Sequence, residues 1–228
     1  MVRFNNFIFD LDGTLVDSTA GIQAAFEYAW KSVYPENPIP DIRQSIGPPI
    51  DKIFLSLVGT ASTNEIFYFV SSFREAYDQW GWKLTALYDD VVAFLELLRH
   101  NGCQCYGVTN KPSQPTKKIL NALGIADKFK IFLSPDSHLP PFRNKAEAIQ
   151  NLMIEYQLDN ANTVLIGDSP EDAEAAFIIE IAFIYRQSDK NKEVQLDSPI
   201  SYCCTNLNEC KSMIGGINGC TLITRNDF

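Results

Sequence analysis

Phe7-Ile8-Phe9-Asp10-Leu11-Asp12-Gly13-Thr14 is the stretch that decides the fold. A short apolar run of the kind that forms a buried strand ends in two carboxylates, and Gly13 lets the chain break sharply away. Unit charges about 4 Å apart repel by roughly 4 kcal/mol at an effective dielectric of about 20. Two acids left at a strand mouth therefore need a cation between them. Carboxylate oxygens are hard ligands, and Mg²⁺ suits them. Asp-Gly after a strand is by itself an ordinary turn; the partners further along the chain move the reading toward chemistry.

Beyond this stretch, strand and helix patterns alternate. Gln104–Thr109 reads as a strand after the helix-like Val91–Arg99 and the stop signal Asn101-Gly102. Ser113–Leu123 reads as a helix ending at Gly124, and Lys130–Ser134 as a third strand. Lys145–Tyr156 is helical in pattern, Thr163–Gly167 is a fourth strand, Ser169-Pro170 opens another helix, and Ile181–Tyr185 returns to strand. That order predicts the α/β class, with a Rossmann-like parallel sheet covered by helices on both faces. Residues 18–85 break the rhythm. Ala20–Val33 and Asn64–Trp80 are helical in pattern, with Pro35, Pro38, Pro40 and the Ile46-Gly47-Pro48-Pro49 loop between them. The expected organisation is a core of residues 1–17 and 86–228 and an inserted all-helical cap domain, residues 18–85. Phe67, Tyr68, Phe69, Phe73, Tyr77 and Trp80 are expected to form the interior of that cap.

Composition narrows the function. A net charge of −9 lacks the basic face that nucleic acid requires. No Lys/Arg cluster suits a membrane surface, and no apolar run is long enough to span one. The N-terminus leads straight into a strand pattern without an apolar leader, so a cytoplasmic location is expected. Of six cysteines, Cys103 and Cys105 fall in a strand pattern, and Cys203, Cys204, Cys210 and Cys220 follow late in the chain. With only His100 and His138 to help them they lack zinc-site spacing, and structural thiols are expected. Monomer and homodimer both remain open.

Ligands of open parallel sheets bind beyond the carboxyl ends of the strands. Three expected strands end in Asp10, in Thr109-Asn110 and in Asp168, and these ends are predicted to converge on one crevice. Each further candidate has a plain structural reading beside it. Thr109-Asn110 can be a strand-to-helix turn. Ser169-Pro170-Glu171-Asp172 matches a capping box, so Asp172 can serve the start of its helix. Lys145 at a helix start opposes the helix dipole, which favours a functional role. Lys111 can line the pocket or stay solvated, and the solvated reading is the default.

Four motifs in order carry a family resemblance: Asp-Leu-Asp-Gly-Thr (10–14), Val-Thr-Asn-Lys-Pro (108–112), Lys145 within Asn-Lys-Ala-Glu-Ala-Ile, and Gly-Asp-Ser-Pro-Glu-Asp (167–172). Together they resemble the haloacid dehalogenase-like hydrolases, in the branch with a helical cap near the phosphoglycolate phosphatases. The resemblance implies a Mg²⁺-dependent phosphatase acting on a small-molecule phosphate ester. Asp10 would be the nucleophile that forms an aspartyl-phosphate. Asp12 would protonate the leaving alkoxide and later activate water. Asp10, the backbone carbonyl of Asp12, and Asp168 would hold the metal. Thr109, Asn110 and Lys145 would bind phosphoryl oxygens, Lys145 also bracing Asp10. Asp172 and Ser169 would support the site. Arg43 and Gly47 would face substrate from the cap, which would act as a lid.

Departures from the family pattern are Glu180-Ile181, where relatives often carry glycine, and Asp136–Phe142, which lacks a common Lys-Pro pair. Within the family, a nucleotidase, a pyrophosphatase or a sugar-phosphate mutase are alternatives. Thr14 stands where mutases typically have valine, and a dehalogenase would not need Asp12. A non-catalytic phosphoryl-binding module, the alternative from another class, would be expected to have lost one of Asp10, Asp12, Lys145 or Asp168.

Overall fold

The computed structural model describes residues 4–43, 45–187 and 201–214. The chain falls into two compact units, one of Met1–Leu15, Tyr88–Ser113 and Gly124–Phe228, the other of Val16–Leu87 with Gln114–Leu123.

The first unit is built on six strands: β1 (Asn6–Phe9), β4 (Gln104–Val108), β5 (Phe132–Leu133), β6 (Thr163–Gly167), β7 (Ala182–Arg186) and β8 (Tyr202–Cys204). They lie in the order β5-β4-β1-β6-β7-β8, every pair parallel. β1 is central, with Phe9 opposite Gly107 on one side and Ile166 on the other. Side chains of a strand alternate between the faces of its sheet. Phe7 and Phe9 accordingly meet Phe94 of α4 (Val91–His100) with ring centroids 6.2 and 6.3 Å apart. Ile8 joins the opposite cluster, with Ile149 and Leu152 of α6 (Lys145–Glu155) and Ala173 and Ala176 of α7 (Pro170–Ile179). Burial on both faces explains why β1 reads as a continuous apolar run. The Asp10 amide continues the ladder, donating to the Ile166 carbonyl at 3.0 Å. The same alternation then sets the Asp10 side chain on the Ile8 face, toward α6 and α7.

The sequence expectations differ from this sheet mainly at element ends. β1 begins at Asn6 because Phe4 makes only an isolated bridge, to Ile214. The third strand shrinks to two residues, and β8 has no apolar run to announce it. Glu180, at the end of α7, adopts the left-handed conformation (φ 59°) that glycine usually fills. Cys105, Cys204 and Cys210 are free thiols, and burial pushes Cys105 up to about 12. Cys220 and the glycine-rich tail from Gly215 lie outside the described residues.

A buried ion pair ties distant parts of this unit together. Arg186 at the end of β7 reaches Asp90 Oδ1 at 2.9 Å and donates to the Thr14 carbonyl at 2.8 Å. The other oxygen of Asp90 accepts the Leu207 amide, and the guanidinium lies 4.4 Å from the Tyr88 ring centroid.

The second unit holds α1 (Thr19–Val33), α2 (Ile50–Val58), α3 (Thr63–Gln79) and most of α5 (Ser113–Ala122). A two-residue antiparallel ladder, β2 (Val16–Asp17) with β3 (Ala86–Leu87), closes its ends. Gln114–Leu123 groups here by its contacts, although it falls within the stretch 86–228 that the sequence pattern allots to the core. Phe26, Trp30, Phe54 and Phe69 form its interior, Phe54 and Phe69 stacking at 4.2 Å. Phe67 and Tyr68 do not share it; they are 68% and 66% exposed. Consecutive residues on a helix point about 100° apart, so the neighbours of inward Phe69 cannot all follow it inward. Among the described residues no helix is long and apolar enough to cross a membrane.

Removing one partner of a buried ion pair leaves the other charge uncompensated, at a cost of about 3–5 kcal/mol. Asp90→Ala should lower the unfolding free energy in urea by that amount, and a loss below about 1 kcal/mol would contradict the role given to the pair.

Candidate active site

The ends of β1, β4 and β6 lie side by side and carry Asp10, Thr109 and Asp168. Asp10 is 5% exposed. Lys145, the first residue of α6, places its Nζ 2.8 Å from Asp10 Oδ1 and 2.5 Å from Asp172 Oδ1. Asn144 caps α6 by accepting the Glu147 amide at 2.9 Å. A lysine in that first turn opposes the helix dipole, and the two carboxylates offset the conflict.

Asp172 closes the capping box expected of it with one oxygen and receives Lys145 with the other. Oδ2 accepts the Ser169 amide and hydroxyl in the capping box of α7, while Oδ1 accepts from Lys145. Ser169 thus acts on α7 and on the orientation of Asp172.

Two glycines allow this density of acids. Gly13 has φ +82°, and a Cβ built there would lie 1.9 Å from Asp168 Oδ2. A Cβ on Gly167 would lie 2.3 Å from the Asp172 carboxyl carbon. Side chains at either position would push the acids out of the cluster.

Thr109 is buried, its hydroxyl accepting the Lys111 amide at 3.1 Å. Asn110 is exposed, and its amide donates to Glu171. Lys111 corrects the sequence reading. Its side chain is 8% exposed rather than solvated, and Nζ lies 3.2 Å from Asp12 Oδ2. Arg43 and Gly47 belong to the helical unit, where Arg43 pairs with Asp41 at 2.5 Å on an exposed stretch and Gly47 has open space around its Cα.

Electrostatics mark Asp10 and Asp168 as unusual. Burial, outweighing the nearby Lys145, lifts Asp10 from its ordinary 3.8 to about 7. Burial together with the Asp10 and Asp172 charges lifts Asp168 well above the carboxylate range. For Lys145 burial works against the charge, but Asp10 and Asp172 outweigh it and hold the ammonium firmly protonated. Carboxylate oxygens of Asp10, Asp168 and Asp172 lie within 4.8 Å of one another. Fully ionised, they and Asp12 would make four carboxylates against two ammonium groups, an excess of two negative charges. An all-oxygen donor set with that excess fits a hard divalent cation.

A sequence profile of haloacid dehalogenase-like hydrolases matches residues 7–185. The chain belongs to that family. A phosphoglycolate phosphatase of Vibrio vulnificus is 32% identical over 182 residues, covering 74% of this chain and 77% of its own length. A hydrolase of the haloacid dehalogenase-like family from Streptococcus pneumoniae superposes with a TM-score of 0.81 at 25% identity, over 93% of this chain and 99% of that one. The tyrosine-protein kinase PtkA of Mycobacterium tuberculosis is 26% identical over 170 residues, 74% of this chain; the match spans 57% of that relative's length.

Of the residues the motifs singled out, Asp10, Asp12, Thr109, Lys145, Asp168 and Asp172 lie in the core unit of this family member. The Lys111–Asp12 contact was not legible, because a lysine after a strand end looks the same in sequence whether it turns outward or back along the chain.

The raised values give a signed expectation for stability. Asp10 stays protonated to higher pH folded than unfolded, so the native state binds more protons between the ordinary carboxylate range and about 7, and Asp168 acts in the same direction. The Asp10 contribution is full below about pH 4 and is lost as pH rises through about 7. A divalent cation requires the deprotonated acids. Added Mg²⁺ should therefore raise the melting temperature more at about pH 8 than at about pH 5. An equal or reversed gain, read by thermal shift at fixed ionic strength, would contradict the assignment.

Proposed function

We propose that this family member is a Mg²⁺-dependent phosphoric monoester hydrolase that works through an aspartyl-phosphate on Asp10, with a small phosphorylated metabolite of phosphoglycolate type as substrate. The observation that carries the reading is the buried Asp10 carboxylate, fixed through one oxygen by Lys145 and followed two residues later by a second acid. The Vibrio relative's name supports the substrate class.

In this reading Asp10 attacks phosphorus with a carboxylate oxygen as the ester P–O bond breaks and its electron pair leaves on the alkoxide. Asp12 gives that oxygen a proton, then takes one from the water that splits the aspartyl-phosphate. Lys145 and the Thr109 hydroxyl face the phosphoryl oxygens. Asp10, Asp168 and the Asp12 carbonyl would hold Mg²⁺, which would offset the mutual repulsion of nucleophile and phosphate. Asp172 would act one step removed, since its oxygens serve Lys145 and Ser169. The helical unit would serve as the cap, and the protein would act in the cytoplasm on free metabolites, without nucleic acid or membrane.

Phosphate release should be followed from phosphoglycolate, nucleoside monophosphates, sugar phosphates and pyrophosphate, with Mg²⁺ and with EDTA. Release should need the metal and fall to background in Asp10→Asn with the melting curve retained. Release by that variant at the native rate would remove Asp10 as nucleophile. Asp168→Ala should raise the Mg²⁺ concentration for half-maximal activity by at least about tenfold, since even outer partners of metal ligands carry that much. An unchanged requirement would defeat the metal assignment.

A further inference from the structure

Asp12 is held by one oxygen and left open at the other. Lys111 Nζ lies 3.2 Å from Oδ2, while Oδ1 is buried without a hydrogen-bond partner among the described residues. The Lys111 main chain is fixed as well, because its amide donates to the Thr109 hydroxyl at 3.1 Å. The segment that presents Thr109 thus also presents the cation that faces Asp12.

An ammonium group has donors and no acceptor. The carboxyl oxygen it faces must therefore accept, and a proton on Asp12 is carried by the other oxygen. A buried polar atom without a partner is costly unless something comes to meet it. Oδ1 is thus the oxygen that waits for a partner, and Lys111 fixes which oxygen that is.

We propose, resting on the phosphatase reading above, that Lys111 is a positioning residue that holds Asp12 Oδ2 so that Oδ1 carries the proton to the leaving group. As the ester P–O bond breaks, its electron pair goes to the alkoxide oxygen, Asp10 forms the new bond to phosphorus, and the proton on Asp12 Oδ1 passes to that alkoxide. Asp12 is left as a carboxylate still facing Lys111, and Lys111 itself neither gives nor takes a proton.

A residue that acts only on proton donation matters in proportion to the leaving group's need for a proton. The test compares the wild-type chain with Lys111→Met and Lys111→Arg by pre-steady-state alcohol release, which reads the first chemical step alone. The two substrates are p-nitrophenyl phosphate, whose leaving group departs without a proton, and an alkyl phosphate from the active panel, whose leaving group needs one. Positioned general acids contribute about 10²–10⁴-fold. Lys111→Met should lose at least about tenfold on the alkyl ester and less than about threefold on p-nitrophenyl phosphate, with Lys111→Arg restoring part of the alkyl rate. Equal losses on both esters would overturn the proposal in favour of a structural role. A raised KM with an unchanged rate of alcohol release would overturn it in favour of substrate binding. Failure of the wild-type chain to release alcohol or phosphate from any ester would instead defeat the phosphatase reading on which the proposal stands.

Discussion

The Lys145 ammonium between the Asp10 and Asp172 carboxylates is the contact on which the arrangement of the core depends. The three residues of this contact come from three elements: the end of β1, the first residue of α6 and the first turn of α7. Burying any of these ions alone costs several kcal/mol, and that cost is met only when the geometry of the whole set is good. The two helices must therefore start where β1 ends. A parallel sheet provides for this, because the helices between its strands begin at the strands' carboxyl ends. Lys145 is the misfit among these helix starts, a cation where the dipole prefers an anion, and it is tolerable there only with acids on two sides.

The sheet was legible where burial writes a strong pattern. Thr163–Gly167, buried at every position, has the bounds expected from sequence, and the Phe7-Ile8-Phe9 run lies within β1, which is shorter at both ends than the Phe4–Asp10 pattern. What escaped is local or relational. β8 is three residues with an exposed cysteine in the middle, too short for periodicity. α2 follows Pro48-Pro49, which hid a nine-residue amphipathic segment behind a loop signal. Phe67 and Tyr68 turn outward because neighbours on a helix point about 100° apart and Phe69 takes the inward direction. The pairing of Lys111 with Asp12 depends on a side-chain direction that no spacing encodes.

The acids in the site were legible for a different reason: their sequence contexts are expensive without function. Gly13, after Asp12, leaves room for the Asp168 carboxylate, and Gly167, before Asp168, leaves room for that of Asp172, where other residues would place a side chain. Asp172 was the ambiguous one, and the structure removes the choice between its readings. A carboxylate has two oxygens, and here one closes the capping box while the other receives the lysine. Helix capping and charge placement are then one constraint, so the start of α7 and the orientation of Lys145 cannot vary independently.

Two acids of one type, two residues apart, are set in different surroundings. Asp10 is almost wholly buried against Lys145, while the Asp12 side chain keeps 26% of its surface and faces Lys111. The nucleophile proposed for this site would have to be ionised when it attacks, yet burial lifts Asp10 to about 7 even with Lys145 at 2.8 Å. The lysine alone does not overcome the loss of hydration, and the nearby Asp172 charge works against it. The carboxylate form of Asp10 is therefore incomplete near neutral pH until a further positive charge reaches the cluster. Of the ligand types that oxygen donors favour, a divalent cation supplies the whole of the missing charge in one atom. In the proposed reading, nucleophile and cation site would be the same feature: the burial that shields Asp10 from water would also leave it dependent on the cation for its charge.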